Sequence, residues 1–291
     1  MPTPPTYPHL PSKLILTSTK AYFSPSRTIS YLKSILDPSN NILPLLESHK
    51  SEILFVLIPD FLTLYPSSQT LTSKYESKWP IALGAQNAHS STNYGPFTGE
   101  IVPSALAELG ISIVELNHAE RRRLLHEDDN TAAAKASAVC QQGMIPLVCI
   151  GELDKPNLNG PLSQSVGVAM SQLTPQITTV LKAIPADAPV IFAYEPVWAI
   201  GAAEPAGVDY VGPVVQAIRQ IAKQAVKGRI GEVKVVYGGS AGPGLWSGKA
   251  NGGNGLGKWV DGLFLGRFAH EISGVRGVVE EVVESLGQSQ S

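Results

Sequence analysis

Charge is scarce in this chain and nearly balanced. Only 16% of its 291 residues are Asp, Glu, Lys or Arg, and the formal net charge is −2. That leaves no basic excess to meet a nucleic-acid backbone, so a small anionic ligand would need local positive sites rather than a global field. Cysteine is almost absent. Cys140 and Cys149 stand nine positions apart, a spacing that matches no zinc motif and builds no disulfide framework. Both are expected to be buried, reduced thiols, as in a cytoplasmic protein. No secretory signal is read at the N-terminus. No apolar run reaches about 18 residues, so no transmembrane helix is expected.

What is present is apolar and regularly spaced. The hydrophobic fraction of 43% supports a sizeable core, and the length fits one large α/β domain. Residues 1–13 carry Pro2, Pro4, Pro5, Pro8 and Pro11 and read as an irregular arm lying outside the folded body. After it, short apolar runs recur at 14–18, 53–59, 81–87, 111–117, 144–150, 189–194, 233–237 and 260–265. Amphipathic or alanine-rich segments separate most of them. One opens on Ser24-Pro25-Ser26, a cap and a proline, and runs to about Leu36. Others span 131–142 and 210–227. Eight strand–helix units imply parallel pairing and a closed (β/α)8 barrel over residues 14–291, with chemistry at the C-terminal ends of the strands. The stretch 242–257 is too rich in glycine for a long helix, so the seventh helix is expected to be short or replaced by a loop.

The sixth apolar run ends on Glu195, and Pro196 stops the ladder because it has no N–H. Trp198, Gly201, Ala202 and Ala203 follow, an apolar loop with small residues at its far side. A carboxylate at a strand end under such a loop suits a base in a dry pocket, where desolvation raises its pKa. The plainer reading is a strand-end glutamate paired with an arginine. His118 stands where the fourth strand gives way to Ala119-Glu120-Arg121-Arg122. A helix starting there would disfavour an imidazolium, although a lone histidine is more often structural. Lys20 follows the first strand in the same way and could hold an anionic substrate, or simply be a solvated lysine.

These stretches closely resemble triosephosphate isomerases from about Leu14 to His270: Ala193–Gly201, Asn117–Arg122, Lys20, Tyr237-Gly-Gly-Ser240 and Leu265-Gly266. The resemblance implies an aldose–ketose isomerase that interconverts dihydroxyacetone phosphate and glyceraldehyde 3-phosphate through an enediolate, with no metal or cofactor. It implies Glu195 as base, His118 and Lys20 as stabilisers of the enediolate oxygens, and Glu120 as the charge partner of Lys20. Arg121, Arg122 and Glu127 read as ion pairs beside the site. The phosphate falls to Ser240, Gly266, Arg267 and, from a closing lid over 196–206, Gly201. The loop 86–100, with Phe97 and Thr98, resembles the one that docks into a partner subunit and implies a homodimer. Leaving Phe97 in water would cost about 1.5–3 kcal/mol.

The chain also departs from that family. Ser18 stands where the family has asparagine, Ala119 where it has serine, Ala202-Ala203-Glu204 where it has Thr-Gly-Lys, and Arg267 where it has a second glycine. Ser18 and the Gly266-Arg267 pair resemble the branch that isomerises tetrulose phosphates such as erythrulose 1-phosphate. A non-catalytic sugar-phosphate-binding paralogue is the alternative from another class; the retained lysine, histidine and glutamate argue against it.

Overall fold

The computed structural model describes residues 5–72, 80–202, 205–249 and 251–288. Eight strands, β1 (Lys13–Ser18), β2 (Ile53–Ile58), β3 (Ile81–Ala85), β4 (Ile113–Leu116), β5 (Ile145–Ile150), β6 (Val190–Tyr194), β7 (Val233–Tyr237) and β8 (Gly262–Leu265), form a closed barrel in sequence order. Every pair is parallel, and closure is made by β1 on β8 with Leu14 opposite Gly262 and Thr17 opposite Leu265. The helices are α1 (Pro25–Leu36), α2 (Ile42–Ser48), α3 (Phe61–Thr72), α4 (Pro103–Glu108), α5 (Ala119–Leu125), α6 (Asp129–Gln141), α7 (Leu162–Ala183), α8 (Val208–Ala225) and α9 (Ile272–Gln288). Ser24 caps α1 by accepting the Arg27 N–H, with Pro25 in the first turn, as its sequence predicts.

Alternation along the strands sorts two cores. Leu14, Leu16, Val56, Ile58, Leu147 and Ile191 fill the barrel interior, while Ile15, Phe55, Leu57 and Phe192 face the helices. Each fully buried side chain of this size contributes about 1.5–3 kcal/mol. The interior is therefore a packed plug, and the two largest cavities among the described residues lie where the strands end.

The expectation for the arm needs correction. Lys13 already belongs to β1, and Leu10, only 3% exposed, packs into the interior cluster from below. An open barrel foot would leave apolar side chains in water, and the arm is the nearest segment able to cover them. Tyr7 adds a hydrogen bond of 3.3 Å to the Cys140 carbonyl.

Between β7 and β8 the described residues hold no α-helix, only a 3-10 turn at Leu256–Lys258. The glycine-rich chain folds back on itself instead. Leu256 and Gly257 donate to the carbonyls of Leu245 and Trp246 at 3.0 and 3.1 Å. Glu281 of α9 accepts the Ser247 N–H at 3.1 Å.

Candidate functional site

The eight residues singled out above (Ser18, Lys20, His118, Glu195, Gly201, Ser240, Gly266 and Arg267) all line one cavity of about 980 Å³ at the C-terminal mouth of the barrel. A second cavity, about 800 Å³, shares His118, Glu120, Glu195 and Ile200 with it.

Glu195 directly follows β6, and its N–H continues the ladder to the Ile150 carbonyl at 2.8 Å. It is 5% exposed and has no arginine partner among the described residues. Burial, reinforced by the nearby Glu115 and only partly opposed by Lys20, pushes its carboxyl up to about 8. Such a carboxyl is a far stronger base than one in water. Two glycines make room for it. A Cβ on Gly151 would fall 1.9 Å from the Glu195 carbonyl, and one on Gly238 would fall 2.5 Å from its Oε1.

His118 caps α5. Its Nδ1 accepts the Glu120 N–H at 3.1 Å, so in the neutral ring the proton sits on Nε2. Burial and the Lys20 charge lower its pKa to about 4, with Glu120 opposing. Nε2 lies 3.5 Å from Glu195 Oε2. The pair therefore offers a neutral donor beside a desolvated carboxylate.

Lys20 sits in the left-handed region, φ 46°, an uncommon conformation for a side-chain-bearing residue. Gln86 Nε2 holds its carbonyl at 3.0 Å. Its ammonium donates to Glu120 Oε1 at 2.8 Å. Burial works against the ammonium, but Glu120, Glu195 and Glu115 outweigh it and raise its pKa. Lys20 is thus a firm cation facing the cavity. Arg121 pairs with Glu127 at 2.7 Å and Arg122 with Asp129 at 2.7 Å, and neither arginine lines the first cavity.

The loop after Glu195 lies down over the mouth. Ser240 Oγ donates to the Ala199 carbonyl at 3.0 Å, and the Ala206 N–H donates to the Tyr237 hydroxyl at 3.1 Å. Trp198 donates to Glu152 at 2.8 Å, and the same carboxylate oxygen accepts from Tyr194 and Tyr210. Ala203 and Glu204 of the expected lid lie outside the described residues. At the other rim, Gly266 opens the 3-10 turn Arg267–His270, and Arg267 is exposed.

Several participants were not singled out from the sequence. Glu152, Tyr237 and Glu115 act through tertiary contacts that no local pattern reveals. Only Glu115 left a signal, a carboxylate in register with the inward-facing Ile113. In the 86–100 loop Phe97 is not left fully in water as expected, but is half-buried against the His89 ring, with centroids 4.5 Å apart.

The fold and the cluster at its mouth define a (β/α)8 barrel with a desolvated carboxyl, a neutral histidine and a lysine on one cavity. The triosephosphate isomerase family pattern matches residues 13–282, and the chain belongs to that family of isomerases. L-erythrulose-1-phosphate isomerase of Pectobacterium atrosepticum is 37% identical over 273 residues, covering 94% of this chain and 96% of that one. The enzyme of the same name from Rhizobium etli is 34% identical, covering 80% and 81%. Triosephosphate isomerase of Chlamydia trachomatis is likewise 34% identical, covering 81% of each.

Proposed function

We propose that this chain moves a carbonyl group between neighbouring carbons of a short ketose phosphate through an enediolate. The observation that carries this reading is the neutral His118 Nε2–H 3.5 Å from the buried Glu195 carboxylate, with the Lys20 ammonium on the same cavity. Glu195 takes the proton from the carbon beside the carbonyl, on the side away from the phosphate. It returns that proton to the former carbonyl carbon. His118 and Lys20 stabilise the negative oxygens in between, where fixed donors in a dry site count most. The lid loop excludes water that would protonate or break down the enediolate. Ser240, Gly201, Gly266 and the Arg267 N–H receive the phosphate. The protein works as a cytoplasmic homodimer.

The substrate reading we favour is erythrulose 1-phosphate, with dihydroxyacetone phosphate and glyceraldehyde 3-phosphate as the second. Ser18 supports the first, because it is shorter than the family's asparagine and leaves space by the reacting carbons. The names of the Pectobacterium and Rhizobium relatives point the same way, while the Chlamydia relative keeps the triose reading open. In a tetrulose phosphate the reacting carbon carries a further hydroxymethyl group, so the product is again a ketose. In a triose it is an aldehyde. The test is a kcat/KM comparison of purified protein on both substrates. Turnover of triose phosphates near the diffusion limit with no tetrulose activity would overturn the tetrulose reading, and no turnover of either would leave a binding paralogue.

A further inference from the structure

His118 and Glu195 follow different strands, yet ring and carboxyl stand 3.5 Å apart. The strand between β4 and β6 is β5, which pairs with both. Glu195 is tied to it directly, because its N–H donates to the Ile150 carbonyl at 2.8 Å. The carbonyl one residue earlier, that of Cys149, accepts the side-chain amide of Asn117 at 2.8 Å. Asn117 is the residue before His118. The base and the neutral donor therefore hang from consecutive carbonyls of one strand.

Asn117 is 2% exposed and takes φ 64°. Few residues other than glycine enter that region, and asparagine is one of them. The turn carries the chain off β4 after Leu116 and delivers His118 to the cavity. Leu116 opposes Val148 in the ladder, so Cys149 is the next position along β5. There the Asn117 side chain extends the pairing past the end of β4. Its orientation follows from its partners, since a carbonyl only accepts and a guanidinium only donates. Nδ2 thus faces Cys149, and Oδ1 accepts from Arg122 at 2.9 Å. Arg122 lies in α5, and its main-chain N–H bonds back to the His118 carbonyl at 3.1 Å. The same guanidinium nitrogen donates to Asp129 of α6 at 2.7 Å. The amide is thereby wedged between β5 and the helix that His118 caps.

We propose, building on the isomerase reading, that Asn117 is a positioning residue that sets the distance between His118 and Glu195 by gripping the Cys149 carbonyl of β5. A strand inside a close-packed barrel is a stiff reference, and groups fixed to rigid elements hold their geometry better than groups on free loops. Both demands on position 117 must be met by one side chain. Glycine would take the left-handed turn but leave the Cys149 carbonyl without this donor. Aspartate tolerates the turn, but its carboxylate cannot donate to a carbonyl. Asparagine supplies the turn, the donor and the acceptor for Arg122 together.

The experiment compares Asn117→Gly and Arg122→Met with the unmodified protein, measuring kcat and KM on erythrulose 1-phosphate. Asn117→Gly keeps the turn and removes both side-chain bonds. It is expected to lower kcat by about ten- to a hundred-fold, because a misplacement of about 1 Å at the reacting groups costs that much. KM should stay within about three-fold, since Ser240 and Gly266 follow other strands. Arg122→Met leaves the bond to Cys149 in place and should keep kcat within about three-fold. An asparagine that only stabilised the fold would lower the melting temperature of Asn117→Gly and leave kcat alone. A folded Asn117→Gly with undiminished kcat would therefore overturn the proposal. So would an Arg122→Met variant as slow as Asn117→Gly, because the grip would then be on α5 and not on β5. Crystal structures of both variants give a readout that does not depend on turnover. The separation of His118 Nε2 from Glu195 Oε2 should grow by about 1 Å in Asn117→Gly and stay unchanged in Arg122→Met. If no ketose phosphate is turned over but the separation grows, the isomerase reading fails and the positioning role of Asn117 stands. If the separation holds in Asn117→Gly, the proposal falls whatever the turnover.

Discussion

Adding one methyl group at Gly238 should disable the site without replacing any candidate side chain. The Cβ of Gly238→Ala would lie 2.5 Å from Oε1, 2.6 Å from Cγ and 2.9 Å from Cδ of Glu195. Relaxed non-bonded carbon contacts sit at about 3.5–4.0 Å, so the carboxylate must retreat by about an ångström. It has little slack, since it is buried and its carbonyl already presses on Gly151. A displacement of about 1 Å at the reacting centre costs about a hundred-fold in rate, or about 2.7 kcal/mol of barrier. The phosphate-side residues Ser240 and Gly266 are not pushed by the methyl, so kcat should carry the loss while KM moves by less than about three-fold. Coupled initial-rate assays on erythrulose 1-phosphate and dihydroxyacetone phosphate measure this, with a melting curve to check the fold. A folded variant with kcat within about three-fold of the unmodified protein would refute the reasoning, because the placement of Glu195 would then not govern the rate.

Glu195→Gln should lower kcat/KM by about 10²–10⁴-fold, and its stability should respond to pH in the opposite sense to intuition. The folded carboxyl, at about 8, keeps a proton that the unfolded chain releases near 4.5, so its share of stability is full at acid pH and is lost as pH rises through that window, by up to about 1.4 kcal/mol per unit. Glu195→Gln should accordingly melt above the unmodified protein at pH of about 8, and a lower melting temperature there would count against a buried, proton-holding Glu195. Tyr237→Phe removes the hydroxyl that receives the Ala206 N–H. It should reduce kcat/KM about two- to ten-fold by loosening the lid, and unchanged protease sensitivity of 196–206 would argue that this contact does not latch it. Light scattering should give a dimer at micromolar concentration, with Thr98 near the neighbour's Ser18. A fully active monomer would reject that assembly.

The chain's local patterns carried much of this architecture. Strand parity has period two and is fixed by the backbone, so the apolar runs announced eight strands and placed Glu195, His118 and Lys20 just past strand ends. Glycine density is equally local, and 242–257 holds no α-helix among its described residues. The Leu10 plug, the Tyr237–Ala206 latch and the half-covered Phe97 were not legible, because each depends on where a distant surface comes to lie. The arm looked peripheral by composition, yet the open foot of the barrel draws Leu10 inward. Glu115 marks the boundary most clearly. Parity along β4 already puts position 115 on the same face as Ile113. Only closure of the barrel brought that inward carboxyl within electrostatic reach of Glu195 after β6 and Lys20 after β1, because proximity between non-neighbouring strands follows from the stagger and curvature of the whole sheet.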